Sequence, residues 1–386
     1  MDFSFTEEQT LLKDSFQRFL QDAYGFEDYR KIIETEQGYS ADTWAQMGDL
    51  QWQGLPFSDA DGGLGYGHIE LLLLAEEMGR GLCVEPYMAN VVLAGQTIAK
   101  LASAEQKSAL LPGLMDGSRQ ISLAHAELGG RYQALWCETS ASEQGDSWTL
   151  KGHKSMVLNA PNADQFLVVA RISGATDEAT GLGVFLIDKD ASGVSLKANK
   201  VLGGGVAGEL SLNNVAAQRL GGEAGEVIED VLDLATAYSC ADAYGAMQAL
   251  LAKTAEYSKT RKQFGMPLGA FQVLQHRMVD MFIEVQQSQS MILMVMLRLS
   301  DSDRAARQKA VAACKAYMHK ASKYVAQQAV QLHGGIGVTE ELDIGHYFRR
   351  LTAFGSLFGD RTHQLRRLAA LDKAQRQAQG KLANAA

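Results

Sequence analysis

Gly203-Gly204-Gly205-Val206-Ala207-Gly208 runs straight into Glu209-Leu210-Ser211-Leu212. The six glycine-rich residues match G-x-G-x-x-G letter for letter. A dinucleotide-binding loop of that form follows a strand and opens a helix, so that helix N–H groups meet a pyrophosphate. Here the next residues alternate as a strand does. The stretch therefore reads as a turn into a strand, and a doubly wound parallel sheet is not expected. Working outward, residues 121 to 215 keep that texture. Short runs at Trp148–Leu150, Phe166–Ala170, Val184–Ile187 and Leu210–Leu212 are bounded by Gly, Asn, Asp and Ser. That is an antiparallel β pattern, with no intervening helical stretch of the length a βαβ unit needs.

Helical texture lies on both sides. Thr6-Glu7-Glu8 precedes Leu11, Leu12, Phe16 and Leu20, an amphipathic spacing with an acidic first turn. Leu71–Met78 and Met88–Leu101 are further helical blocks, separated from the first by the turn-rich stretch Pro56–Gly67. From 225 onward, Val227–Tyr257 and Phe271–Leu299 carry apolar residues at three- and four-residue steps, as at Leu274, Met278, Met281 and Phe282. Helices this long predict a bundle packed against another subunit. The reading is an α+β chain, mostly α, in three parts: 1–120 helical, 121–224 antiparallel β, and 225–386 a helical bundle. The polar, Ala-rich tail Ala374–Ala386 is expected to fray.

Composition narrows the function. The 386 residues are 46% hydrophobic and 21% charged, with a net charge of −9, so no nucleic-acid partner is expected. The longest apolar run, Met291–Leu297, is far short of the roughly 18 residues a membrane span needs. The acidic start M-D-F-S-F-T-E-E-Q lacks a signal-peptide charge pattern. Cys83, Cys137, Cys240 and Cys314 form no C-x-x-C, which fits reduced thiols in a cytoplasmic protein. The eight histidines include no H-E-x-x-H pairing, so no metal site is expected.

Three stretches carry possible chemistry. Thr260-Arg261-Lys262-Gln263-Phe264-Gly265, followed by Phe271-Gln272, ends a helix in a cation and starts another with an amide. Arginine suits a phosphate and glutamine a base edge, although a cationic helix C-terminus has a structural use of its own. Gln331-Leu332-His333-Gly334-Gly335-Ile336-Gly337 places three glycines where a backbone can approach a flat or anionic ligand, or simply turn. Phe358-Gly359-Asp360-Arg361-Thr362-His363-Gln364 sets a carboxylate after an apolar stretch. Such an Asp is either a desolvated base or a helix N-cap.

Together and in this order, these stretches resemble the acyl-CoA dehydrogenase family across essentially the whole chain. The matching pieces are T-E-E-Q, L-P-F-S-D-A-D-G-G-L-G at 55–65, L-K-G-H-K-S at 150–155, T-R-K-Q-F-G at 260–265, Q-L-H-G-G-I-G-V-T-E-E at 331–341 and D-R-T-H-Q-L-R-R at 360–367. The resemblance implies an N-terminal helical domain, a central β domain and a C-terminal four-helix bundle in a dimer of dimers, with FAD as cofactor. It implies that Arg261 and Phe264, with Gln272 nearby, reach the FAD of a neighbouring subunit. Gln331, Gly334 and Gly335 would hold the other end of that FAD, and Thr362 and Gln364 would also touch it. Asp360 falls where many members carry a glutamate that takes the α-proton of an acyl-CoA thioester while hydride leaves for the flavin. Electrons would pass to an electron-transfer flavoprotein.

The departures from the pattern are specific. Many members carry T-E-P-x-x-G-S-D where this chain has His125-Ala126-Glu127-Leu128-Gly129-Gly130-Arg131. Ala126 replaces a flavin-facing threonine. Met156 and Leu158 replace a tryptophan and a threonine that shield the ring. Thr236 stands where many members have an arginine, and with Asp233 it marks the substrate side. These changes resemble the small subunits of pimeloyl-CoA dehydrogenases and related two-chain enzymes, some of which pair an FAD-competent chain with a degenerate one. Arg261, Phe264 and Gln331 imply a chain that holds FAD. A degenerate partner subunit and a nitroalkane-oxidase-like flavoprotein, whose relatives also use an aspartate base, are the alternatives.

Overall fold

The computed structural model describes residues 4–145 and 147–383. The first three residues of the acidic start and the last three of the tail lie outside that description. The chain opens with α1 (Glu7–Ala23), α2 (Phe26–Glu34), α3 (Ala41–Asp49) and α4 (His68–Arg80). A π-helical stretch, Met88–Gly95, runs into α5 (Gln96–Leu101), and α6 (Ala104–Met115) follows. Seven strands come next: β1 (Ile121–Ala124), β2 (Ser140–Gln144), β3 (Ser147–Leu158), β4 (Gln165–Arg171), β5 (Leu182–Asp188), β6 (Val194–Lys200) and β7 (Val206–Leu220). The rest is α7 (Gly225–Thr260), a short hairpin of β8 (Lys262–Gln263) and β9 (Met266–Pro267), α8 (Gln272–Arg298), α9 (Arg304–His333), α10 (Ile344–Ser356) and α11 (Arg361–Ala383). The expected fraying of the tail is not seen as far as Ala383, because Ala, Gln, Lys and Arg are all strong helix formers.

These elements form two compact units. One comprises the described residues of 1–26, with 68–83 and 236–386; the other comprises 27–67 and 84–235.

In the helical unit, α1 begins at Thr6, whose hydroxyl accepts from the Gln9 N–H (3.1 Å) while the Gln9 side chain returns to the Thr6 N–H (3.0 Å). The T-E-E-Q stretch is thus a capping box. Lys13 of α1 reaches Glu76 of α4 at 2.9 Å. Helices α4 and α7 cross in backbone contact. A Cβ on Gly79 would run into the Asp242 carbonyl, and one on Gly245 into the Glu76 carbonyl. Arg350 on α10 ties the crossing down, bonding Asp242 through Nε (2.8 Å) and the Cys83 carbonyl (2.9 Å). Helix α9 packs against α8, α10 and α11. Its face holds Cys314 and Lys315, both fully buried.

In the other unit the strands close on themselves. The order β1-β4-β2-β3-β7-β5 is completed by pairing of β5 with β4, and β6 lies on the outer part of β7. Pairings are antiparallel, as the strand pattern predicted, except that β4 runs parallel to β1 and meets β2 at one parallel bridge. The intervening β2–β3 hairpin returns the chain in the direction of β1. Phe166, Val168, Phe185, Leu210 and Val215 fill the interior. Gly203, Gly204 and Gly205, all with left-handed φ, form the turn from β6 into β7. They are a hairpin, as the sequence indicated.

Candidate active site

Six of the expected cofactor residues lie at one end of the helical bundle. Helix α7 ends at Thr260 and the chain turns through β8 and β9. The two residues between the strands, Phe264 and Gly265, have φ of 53° and 81°. A two-residue hairpin of this hand wants positive φ at both positions, normally Asn-Gly. A phenylalanine there is strained, at a cost of about 1–3 kcal/mol. Yet Phe264 is 91% exposed, meeting the edge of Phe271 at 6.1 Å between ring centroids. The chain's own packing gives little return for that strain. Arg261 and Gln272 flank the ring, both exposed.

The glycine loop lies beside the same helix end. Tyr257 of α7 stacks on His333 at 4.3 Å, and its hydroxyl donates to the His333 carbonyl (3.4 Å). His333 Nδ1 donates to the Ala329 carbonyl (2.8 Å), and burial pushes its pKa down. This fixes the turn at Gly334, where α9 stops. Gln331, Gly334 and Gly335 are exposed, and a Cβ on either glycine would meet open space. A guanidinium, an aromatic ring, amides and an uncovered glycine backbone suit a ligand with both anionic and flat parts.

The third expected stretch forms the N-terminus of α11. Phe358 and Gly359 take φ of 54° and 102°, so the chain reverses sharply. Only glycine fits at 359, because a Cβ would come within 2.6 Å of the His363 ring. Gln364 is buried and its amide donates to the Phe358 carbonyl (2.8 Å), while its Oε1 has no partner among the described residues. That orphaned acceptor is the kind of group a cofactor N–H or hydroxyl would satisfy. Thr362 is exposed. Asp360 is half-buried, and its Oδ1 accepts from the His363 N–H (2.8 Å). It is therefore the N-cap of α11, as one of the two sequence readings held. Among the described residues, no partner is seen for its second oxygen or its own N–H.

The remaining candidates belong to other places. Ala126, Met156 and Leu158 lie in the β unit. Between Lys154 and Val157, β3 spends two residues against one on β7, a bulge in which Met156 has φ of 50°. The bulge turns Met156 outward, to 53% exposure. Asp233 and Thr236 are buried one turn apart on α7. Arg349 and Arg350 on α10 bond Glu340 and Asp242. The sequence reading missed the burial of Lys154, although its inward position in the alternation of β3 was a usable signal. No group of metal-ligating side chains and no helix able to cross a membrane occurs among the described residues.

Family models for the acyl-CoA dehydrogenase N-terminal, middle and C-terminal domains match residues 6–118, 122–215 and 224–371. The chain belongs to the acyl-CoA dehydrogenase family. This flavoprotein family consists of oxidoreductases, and the fold is the one the motifs implied. Acyl-CoA dehydrogenase FadE27 of Mycobacterium tuberculosis is 29% identical over 379 residues, covering 95% of this chain and 98% of that one. Mitochondrial isovaleryl-CoA dehydrogenase of Oryza sativa is 28% identical over 376 residues, covering 94% and 90%. Among solved structures, a variant of the Tcur3481–Tcur3483 steroid acyl-CoA dehydrogenase superposes with a TM-score of 0.87 at 30% identity, covering 96% of this chain and 98% of that one. The glutaryl-CoA complex of glutaryl-coenzyme A dehydrogenase shares the fold, with a TM-score of 0.88 at 22% identity and 97% of each chain covered.

Proposed function

We propose that this acyl-CoA dehydrogenase holds FAD and converts an acyl-CoA thioester to the trans-2-enoyl-CoA, with Asp360 as the base. The observation that carries the reading is the state of Asp360. One carboxylate oxygen is engaged by the helix it caps, and the other is unengaged. Capping fixes the side chain's direction, so the second oxygen is pre-oriented for proton transfer. The Asp360 N–H at the positive end of α11 suits polarisation of a thioester carbonyl as enolate charge develops. When bound, FAD supplies the acceptor for the hydride that leaves the β-carbon. Asp360 removes the α-proton, and the electron pair of that C–H bond forms the new double bond.

The cofactor assignment is supported by exposed Arg261, Phe264 and Gln272, by the open glycines after Gln331, and by the unpartnered Gln364 Oε1. Thr362, Ala126, Met156 and Leu158 complete the proposed set, with Thr236 and Asp233 on the substrate side. A ring-bearing acyl-CoA is the leading substrate class, because the related structure at 30% identity is named a steroid enzyme. An electron-transfer flavoprotein is the proposed electron acceptor, and the cytoplasm the proposed location.

A second reading has its own support. The Tcur3481–Tcur3483 structure and the ChsE4–ChsE5 complex of Mycobacterium tuberculosis, at 30% and 28% identity, are each named for two proteins. This chain would then work as one subunit of a hetero-oligomer. Expression alone and together with a second acyl-CoA dehydrogenase-family chain from the same source separates the two readings. A yellow chain whose flavin is bleached anaerobically by acyl-CoA supports the first. A colourless chain that gains flavin only with the second protein supports the other.

A further inference from the structure

Inside the β unit, an ammonium and a carboxylate sit with almost no solvent contact, and nothing proposed so far uses them. Lys154 on β3 is 0% exposed and Glu127, just beyond β1, is 6% exposed. Lys154 Nζ donates to Glu127 Oε1 at 2.6 Å and to the His125 carbonyl at 3.3 Å. Oε1 also accepts from the Thr139 N–H (3.0 Å) and hydroxyl (2.6 Å), and Oε2 from the Glu138 N–H (2.6 Å). The Cys137 thiol closes the cluster, 3.7 Å from Oε1. Every strong donor and acceptor of the pair is engaged, and three of the engaged groups are main chain.

One of those main-chain groups, the His125 carbonyl, adjoins Ala126 of the proposed flavin site, and Lys154 itself lies two residues before Met156. Ala126 lies between the His125 carbonyl held by Lys154 and Glu127 itself. The Ala126 carbonyl accepts from the Ser155 N–H at 2.8 Å. Ser155 lies between Lys154 and Met156, inside the β3 bulge. Ala126 and Met156 are therefore two sides of one ledge, and the buried pair anchors both ends of it.

A buried ion pair is a poor source of stability, since apolar residues of like volume do as well or better. What an apolar pair cannot do is bond the His125 carbonyl, the Glu138 N–H and the Thr139 N–H at fixed angles. We propose that Lys154 and Glu127 are positioning residues that hold the Ala126–Met156 ledge in the shape required by the flavin ring. The claim rests on the reading that this chain binds FAD.

The test uses the full-length chain and three variants: Lys154→Met, Lys154→Met/Glu127→Leu and Thr139→Val. Lys154→Met leaves a buried carboxylate unpaired and is expected to lower the melting temperature severely. The double variant removes both charges and should melt above Lys154→Met but below the wild type, since it leaves the His125 carbonyl and the Glu138 and Thr139 N–H groups without their partners. Its FAD dissociation constant should rise about 10- to 100-fold, the scale of a small misplacement in a preorganised site. In the apo chain, hydrogen exchange should quicken at Glu138 and Thr139, which lose their acceptor, and, as the ledge loosens, at Ser155 and across 125–131 as well, and not elsewhere in the sheet. Thr139→Val removes one donor to Glu127 without unbalancing charge, and should shift both readouts part of the way. It decides the matter if the double variant does not fold.

Wild-type FAD affinity and wild-type exchange at Ser155 and across 125–131 in a folded double variant, or in Thr139→Val, would overturn the proposal. If the wild-type chain itself bound no FAD, the cofactor reading would fail separately. The exchange comparison would still decide whether the pair fixes the ledge.

Discussion

Asp360 is given two jobs here, and two substitutions separate them. Its Oδ1 caps α11 through the His363 N–H at 2.8 Å, and its free oxygen is the proposed base. Asn matches Asp as an N-cap and Ala does not, the difference being about 1 kcal/mol. Asp360→Asn should therefore melt with the wild type, whereas Asp360→Ala should melt about 2–4 °C lower. Neither variant touches Arg261, Phe264 or the glycine loop, so both should carry a full complement of FAD. Turnover should fall in both, because neither offers a carboxylate. Loss of a positioned general base costs about 10²- to 10⁴-fold in rate. The assay is acyl-CoA oxidation with an artificial electron acceptor, run beside thermal melts and flavin stoichiometry. Wild-type turnover by Asp360→Asn would remove Asp360 from the chemistry. Equal melting of Asp360→Ala and the wild type would remove its capping role.

Other outcomes follow from the packing and the charges. Gly245→Ala should destabilise by at least about 1–3 kcal/mol, the usual overpacking range, because the new methyl meets the Glu76 carbonyl and two helices must separate; urea melts at constant m would register it. Phe264→Ala should change stability by no more than about 0.5 kcal/mol, being a surface change, yet weaken FAD binding in a fluorescence titration. Burial beside Phe354 pushes the Lys315 pKa down to about 8 from its ordinary 10.5. Below pH 8 both folded and unfolded chains hold that proton, and the cost of burial is fully present. Between pH 8 and 10.5 the unfolded chain holds the proton and the folded chain has released it, so unfolding free energy should rise with pH by up to about 3 kcal/mol. Lys315→Met should flatten that slope in denaturant melts taken across the window.

The order of helices, sheet and helices was legible because periodicity is a local property of sequence. The hairpin nature of Gly203–Gly208 was equally local, decided by the strand residues that follow it. The residue set around Arg261, Gln331 and Asp360 was legible only as a pattern, since no single stretch distinguished a ligand loop from a helix end. What brings two of these motifs together, the stacking of Tyr257 on His333, is a contact between residues 76 apart in sequence. No spacing rule announces such a contact. The left-handed Phe264 was invisible for a different reason: aromatic residues normally argue against that conformation, so propensity points the wrong way. The buried Lys154 defeated the expectation that lysine faces water. The capping of α11 by Asp360 was foreseen as one of two alternatives, and the other, the base, is the role proposed for its second oxygen.

The way α4 is shared out has a practical consequence for anyone who cuts or recombines this gene. By family model, α4 belongs to the N-terminal segment, yet Gly79 and Gly245 seat it in the helical unit with α7. A fragment starting at the C-terminal family segment would leave behind the helix that covers Gly245, exposing the face of α7 that carries Tyr238 and Gly245. Chimaeras joined at 118 or 224 would inherit the same mismatch, whereas grafts that carry α1 and 68–83 along with 236–386 keep each hydrophobic interior with its own lining.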